Sequence, residues 1–324
     1  MIISRTPLRV TLAGGGTDLP EFYSRFGGSI VSMAIDKYIY IHFKRNILDN
    51  FVRLRYLQNE EVTNSNKLSN ERARCVLQKF KIYNKCEITS VGDLPSNTGL
   101  GSSGSYLVGL INAIQKYSNQ NMSKQEIAEL ACDLEINTLG EPVGKQDQYI
   151  ASYGDIHKFD IDTRGNVSAS RINIPNVNEL IENIRIYYTG LQRSASEILY
   201  DQKKDYKKFN ANLQKIQDIG FQMFDTLISN NFDDYGLLLD DHWRYKKSLS
   251  TSVSNNIVDG IYDDLIQRKL ILGGKIIGAG GGGFLLVYSP KNRHKFLDEQ
   301  MEEIGYPRLN YKIDASGTTI VYEQ

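Results

Sequence analysis

Apolar and polar positions alternate from residue 2 to residue 12, which predicts a strand ending at Gly14, Gly15 and Gly16. A short helix is expected over 19–25. The Ile, Val and Tyr content of 29–44 predicts one long strand or two broken ones, with another strand over 51–56. Residues 70–82 read as a helix and 85–91 as a strand. Ser123 and Glu126 form a capping box that opens a helix reaching about residue 137. A shorter helix follows over 143–152, then strands near 155–160, 166–174 and 184–188. Beyond that point the period changes. Helices are expected at 194–203, 205–229, 233–249 and 254–269, strands at 275–279 and 283–289, a helix at 291–303, and strands at 309–313 and 317–322. The shift from strand-rich to helix-rich sequence suggests two units, 1–178 and 179–324, with Pro175 and Asn176 as a turn near the boundary.

The most informative loop lies between the 85–91 strand and an amphipathic run from Tyr106 to Tyr117. It comprises Pro95, Asn97, Gly99, Leu100, Gly101, Ser102, Ser103, Gly104 and Ser105, with Ser96 and Thr98 between. Its glycines let backbone approach a ligand closely, and its serines add hydroxyl donors. A helix beginning near Ser103 would turn unpaired amides and its positive end toward the loop, an arrangement that holds phosphate. The alternative is a Gly/Ser linker before a helix. The strand–loop–helix context favours the phosphate loop.

Gly278 to Gly283 fits the string G-x-G-x-x-G, but the expected strand after it, rather than a helix, excludes a dinucleotide site. The run could approach a phosphate or a neighbouring loop. The sequence contains no P-loop lysine motif, no protein-kinase signature and no nucleophile elbow.

Composition narrows the class further. The 324 residues permit two domains or one large one, and 41% are hydrophobic, enough for a full core. Lys plus Arg and Asp plus Glu are both 38, a balance that argues against a nucleic-acid partner. Cys75, Cys86 and Cys132 suggest reduced thiols in a cytoplasmic protein. The four histidines have no ligand spacing, and no signal peptide or membrane-spanning run is expected.

Three segments, in order, resemble the GHMP kinase superfamily: Thr6 to Asp18, the loop at 95–105, and Gly278 to Gly283. The segment Gly144 to Gln148 strengthens the match. Within the superfamily the chain looks most like heptose 7-phosphate kinases, through Ala13 to Pro20, Ala34 to Tyr38, Gly144 to Tyr149 and Thr189 to Glu197. The resemblance implies an α+β fold of two domains with the active site in the cleft between them. It also implies ATP phosphates on the loop at 95–105 and Mg²⁺ held by Ser103 and Glu135. Hard oxygen donors, few from protein, suit that ion.

Asp147 matches the family's base position, and Arg9 matches a basic residue beside that aspartate in galactokinase-like members. Arg9 would favour the Asp147 carboxylate and attract the moving phosphoryl group. Asp18 matches a sugar-binding aspartate, with Gly15, Gly16 and Thr17 beside it. Galactokinases carry Glu-His where this chain has Gly15 and Gly16, which frees space for a longer sugar. Gly280 and Gly281 are further candidates for the acceptor site. Arg193, after Gly190 and at the start of a helix, and Lys145, two residues before Asp147, are candidates to anchor a remote phosphate. The implied reaction transfers phosphate from MgATP to the anomeric hydroxyl of a heptose 7-phosphate. Other readings are a fucokinase-like or galactokinase-like enzyme, or a non-catalytic protein that binds sugar and ATP.

Overall fold

The computed structural model describes residues 1–191, 195–203 and 206–324. The first part of the chain forms β1 (Ile2–Ala13), α1 (Pro20–Phe26), β2 (Gly28–Arg45), β3 (Val52–Arg55), β4 (Glu60–Val62), α2 (Glu71–Lys79), β5 (Cys86–Gly92), α3 (Ser102–Tyr117), α4 (Lys124–Cys132), α5 (Gln146–Tyr153), β6 (Ile156–Ile161), β7 (Val167–Arg171) and α6 (Val177–Asn183). The remainder forms β8 (Ile184–Tyr188), α7 (Ala195–Gln202), α8 (Tyr206–Ile228), α9 (Phe232–Leu249), α10 (Asn256–Gln267), β9 (Gly273–Ile276), β10 (Phe284–Tyr288), α11 (His294–Glu303) and β11 (Thr319–Glu323).

β2 is continuous and organises an eight-stranded sheet. It pairs with all of β1, with β5 along its second half and with β6 along its first. The main path of that sheet is β11-β1-β2-β5-β3-β4, so the last strand returns to the first. β8, β10 and β9 make a separate antiparallel sheet of three. α3 packs on β1 and β2, and α8 and α9 pack against each other. α8 also rests on β1 and β2 while α9 covers β9, so the helices of the second part wall the same region that the β1 end enters. The apolar period of α3 explains its place: Leu107, Val108, Leu110, Ile111 and Ile114 are all buried.

Several boundaries differ from the pattern for identifiable reasons. The capping box at Ser123 forms as expected, but the helix changes to a π-turn at Asp133–Thr138. α5 begins at Gln146 rather than 143, because Gly144 lies against the Asp18 carboxylate. The expected strand at 309–313 does not form. That stretch crosses from one sheet to the other and makes only isolated bridges, Arg308 with Tyr187 and Ile313 with Ile35. α6 and the short β4 were not legible from periodicity. Among the described residues no helix is long and apolar enough to cross a membrane.

Candidate active site

The loop at 95–105 does deliver a helix start to a cleft. Gly101, with a left-handed backbone, precedes α3 and provides no side-chain cap. The first amides of α3 therefore lack an intrahelical acceptor and carry the positive end of the helix dipole. Asn97, Gly99, Gly101, Ser102 and Ser103 line the cleft. Pro95 is exposed at the edge of the loop and accepts a bond from the Thr98 hydroxyl. Leu100 is buried, and its carbonyl accepts the Arg9 amide at 3.0 Å.

The third glycine run explains how this loop is held. A Cβ on Gly99 would lie 2.4 Å from the Ile277 carbonyl, and one on Gly278 would lie 2.7 Å from the Gly99 Cα. The two segments touch backbone to backbone, which only glycine allows. Of the two possibilities, phosphate or neighbouring loop, the neighbouring loop is the one that Gly278 meets. Gly280 and Gly281 turn elsewhere. The Gly281 amide donates to the Val253 carbonyl at 2.7 Å, and a Cβ on Gly280 would strike that same oxygen. Neither lines the cleft, so their expected place beside an acceptor is corrected.

Arg9 and Asp147 meet as expected. Arg9 Nε donates to Asp147 Oδ1 at 2.6 Å, and Arg9 Nη1 donates to the Gly99 carbonyl at 2.6 Å. One guanidinium thus ties β1, the loop and α5 together. Gly104 lets α3 approach α5, since a Cβ there would lie 2.7 Å from the Asp147 Cβ. Asp147 sits one-quarter exposed at the cleft, beside the unsatisfied start of α3.

Asp18 is buried at the cleft wall and accepts the Gln146 amide at Oδ2, capping α5 from outside. Burial pushes its pKa up, and the Asp147 charge adds to this. Gly15 and Gly16 line the cleft beside it. Thr17 does not. Its hydroxyl donates to the carbonyls of Gly14 and Ser29 and accepts the Ser29 amide, so it closes a turn rather than facing an acceptor.

Ser105 is likewise committed to the scaffold: its buried hydroxyl donates to the Pro7 carbonyl at 2.7 Å. It cannot also donate to a phosphate on the loop. Lys145 is corrected too. Its ammonium donates to the Gly165 carbonyl and lies over the Tyr23 ring, in a neighbouring pocket and outside the cleft. Arg193 lies outside the described residues.

Glu135 reaches the cleft because the π-turn carries it inward; it is fully buried there. Arg72 donates to Oε1 from Nε and Nη2 at 3.1 and 2.9 Å, and Gln148 Nε2 donates to Oε2 at 2.6 Å. Burial raises the Glu135 pKa, while Arg72 opposes the shift. Ser103 and Glu135 supply a hydroxyl and a carboxylate to one cleft, and Gln148 Oε1 is buried without a hydrogen-bond partner. Those hard oxygen donors fit a small divalent cation such as Mg²⁺.

Sequence reasoning missed Arg72 and Gln148, and it missed His242, Lys246 and Lys275, which also line the cleft. A signal existed for the last three. His242 and Lys246 stand four residues apart among Leu239, Trp243 and Leu249 on the buried face of α9, and Lys275 interrupts a wholly buried strand.

Comparison with known proteins agrees with this architecture. Residues 68–155 match the GHMP kinases N terminal domain. A D-glycero-alpha-D-manno-heptose 7-phosphate kinase from Campylobacter jejuni is 30% identical over 322 residues, covering 94% of each chain. A galactokinase from Thermotoga petrophila is 22% identical and covers 92% of each. Among solved structures, a D-glycero-D-manno-heptose 1-phosphate kinase from Bacteroides thetaiotaomicron superposes with a TM-score of 0.81 at 18% identity, covering 100% of both chains. The α+β fold and its cleft are those of a two-domain phosphotransferase that acts on a hydroxyl group. The chain belongs to the GHMP kinase family, and it is a sugar kinase. Kinases of this family use ATP as phosphate donor, generally with Mg²⁺.

Proposed function

We propose that the protein transfers the terminal phosphate of ATP to the anomeric hydroxyl of D-glycero-D-manno-heptose 7-phosphate, giving ADP and the 1,7-bisphosphate. The observation that carries this reading is the Arg9–Asp147 pair, 2.6 Å apart and set against the uncapped start of α3. The heptose relative from Campylobacter jejuni, at 30% identity, supports the choice of acceptor.

Phosphoryl transfer asks a protein chiefly to position two reactants and offset charge. In this reading the amides of Ser102, Ser103 and Gly104 receive the ATP phosphates, helped by the Ser102 and Ser103 hydroxyls. Ser103 and Glu135 would hold Mg²⁺, which when bound neutralises phosphate charge. Asp147 takes the proton of the attacking hydroxyl. An anomeric hydroxyl is more acidic than other sugar hydroxyls, so a carboxylate suffices as base. Arg9 has two tasks: it fixes the Asp147 carboxylate through Nε, and it keeps positive charge beside the transferring group. Asp18 holds the acceptor through the oxygen not used by Gln146. Gly15 and Gly16 leave room for the sugar.

ADP release measured over paired acceptors tests this reading. D-glycero-D-manno-heptose 7-phosphate should be turned over at least ~100-fold more efficiently than the same heptose without phosphate, the scale set by losing charge-assisted hydrogen bonds. Equal efficiency on the unphosphorylated heptose, or preference for galactose or fucose, would replace the proposed acceptor.

A further inference from the structure

Beside the loop at 95–105, where Gly278 meets Gly99, the cleft is floored by basic side chains that lack counter-charges. His242 and Lys246 come from α9 and Lys275 from β9, with 1%, 9% and 2% of their surface exposed. A buried ammonium is costly unless it is paired. Lys246 donates only to backbone, to the carbonyls of Ile276 and Gly278. Lys275 has no hydrogen-bond or ion-pair partner among the described residues, and neither ring nitrogen of His242 has a hydrogen-bond partner. The carboxylates that line the cleft are already engaged: Asp147 by Arg9, Glu135 by Arg72 and Gln148, and Asp18 by the Gln146 amide.

Desolvation in this floor disfavours the charged forms. Burial and the Arg9 charge push Lys246 down to about 7. Burial pushes Lys275 and His242 well below their ordinary values, and the neighbouring basic groups add to this. These desolvated amines have no carboxylate partner among the described residues, and a phosphate dianion would favour their charged forms and offer several acceptor oxygens at once.

We propose that Lys275 and Lys246, backed by His242, hold the phosphate already carried by the acceptor sugar and thereby select phosphorylated over neutral acceptors. This rests on the kinase reading above. The nucleotide has its own receptor in the start of α3. The cations stand on α9 and β9, and α9 packs on α8, whose Leu213 side chain meets the Gly16 position beside Asp18. A neutral sugar would leave these amines desolvated and unmatched. Lys145 points into another pocket.

The test uses Lys275→Met, Lys275→Arg and Lys246→Met in the full-length protein. Three readouts are needed: acceptor KM, ATP affinity by calorimetry, and thermal stability with heptose 7-phosphate or inorganic phosphate and no nucleotide. Lys275→Met should raise acceptor KM about 100-fold, the scale of a lost charge-assisted contact. ATP affinity should hold, and Lys275→Arg should recover much of the loss. Ligand-free Tm should rise, because a desolvated amine without a hydrogen-bond partner has gone, whereas a purely structural lysine would lower it when removed. The Tm increase given by heptose 7-phosphate should vanish. Should Lys275→Met not fold, Lys246→Met carries the same KM and ATP-affinity comparison. Loss of ATP affinity with unchanged acceptor KM would assign the cations to the nucleotide and overturn the proposal. A lower Tm with both constants unchanged would also overturn it. If the wild type released no ADP with any acceptor, the kinase reading would fail. The phosphate-induced Tm shift, present in wild type and lost in Lys275→Met, would still support the anchor, and its absence in wild type would refute it.

Discussion

Asp147→Asn should lower kcat by roughly 10²–10⁴-fold, or about 3–5 kcal/mol of barrier, while leaving ATP affinity near that of wild type. The substitution is close to isosteric. An amide oxygen at the Oδ1 position can still accept from Arg9 Nε, so the 2.6 Å tie between β1 and α5 has a partner. What disappears is the capacity to take a proton. The start of α3 and its serines are untouched, so nucleotide binding has no reason to change. Stopped-flow ADP release together with calorimetric titration of ATP separates these two effects. Turnover near the wild-type rate would remove Asp147 as the base and leave the rest of the site standing.

Gly104→Ala tests the positioning on which that base depends. Alanine is intrinsically better than glycine inside a helix by about 1 kcal/mol. On propensity alone the variant should be more stable. The close approach predicts the opposite for function: the added methyl would stand 2.7 Å from the Asp147 Cβ and 3.1 Å from its carbonyl carbon. Backbone on α5 must retreat, which separates the carboxylate from the helix start proposed to receive phosphate. Displacements near 1 Å at a reacting centre can cost about 10²-fold. The expected result is a kcat loss of about that size, with helix content retained by circular dichroism. A variant with full activity would mean that the α3–α5 contact does not set the reacting geometry.

The parts of the site that were legible in the sequence are those fixed by local backbone. The loop at 95–105 could be read as the entry to a helix because its glycines and serines sit between a strand and an amphipathic helix, and α3 begins at Ser102. The strand after Gly283 likewise excludes a dinucleotide site, which needs a helix there. Asp147 and Arg9 were legible only through resemblance, since 138 positions separate them and no local pattern brings them together.

Side-chain direction was the main thing hidden. Ser105 and Ser103 are equivalent in composition, yet the helical turn sends one hydroxyl to the Pro7 carbonyl and leaves the other at the cleft. Thr17 looked like an acceptor contact because it neighbours Asp18, but closing the turn to Ser29 uses its oxygen. Lys145 precedes α5, and that position aims it at Gly165. Glu135 reaches inward through a π-turn that no propensity announced. The lysines of α9 and β9 were readable as charged residues on apolar faces, a pattern that states a need for negative charge without naming its source.

Phosphorus NMR of the products formed from ATP and D-glycero-D-manno-heptose 7-phosphate tests the central claim most directly. The account predicts loss of the ATP γ signal, growth of ADP, and a new phosphate resonance coupled to the anomeric proton, with the 7-phosphate resonance retained. A new ester at any other carbon, or ATP consumed without a phosphorylated sugar, would contradict it.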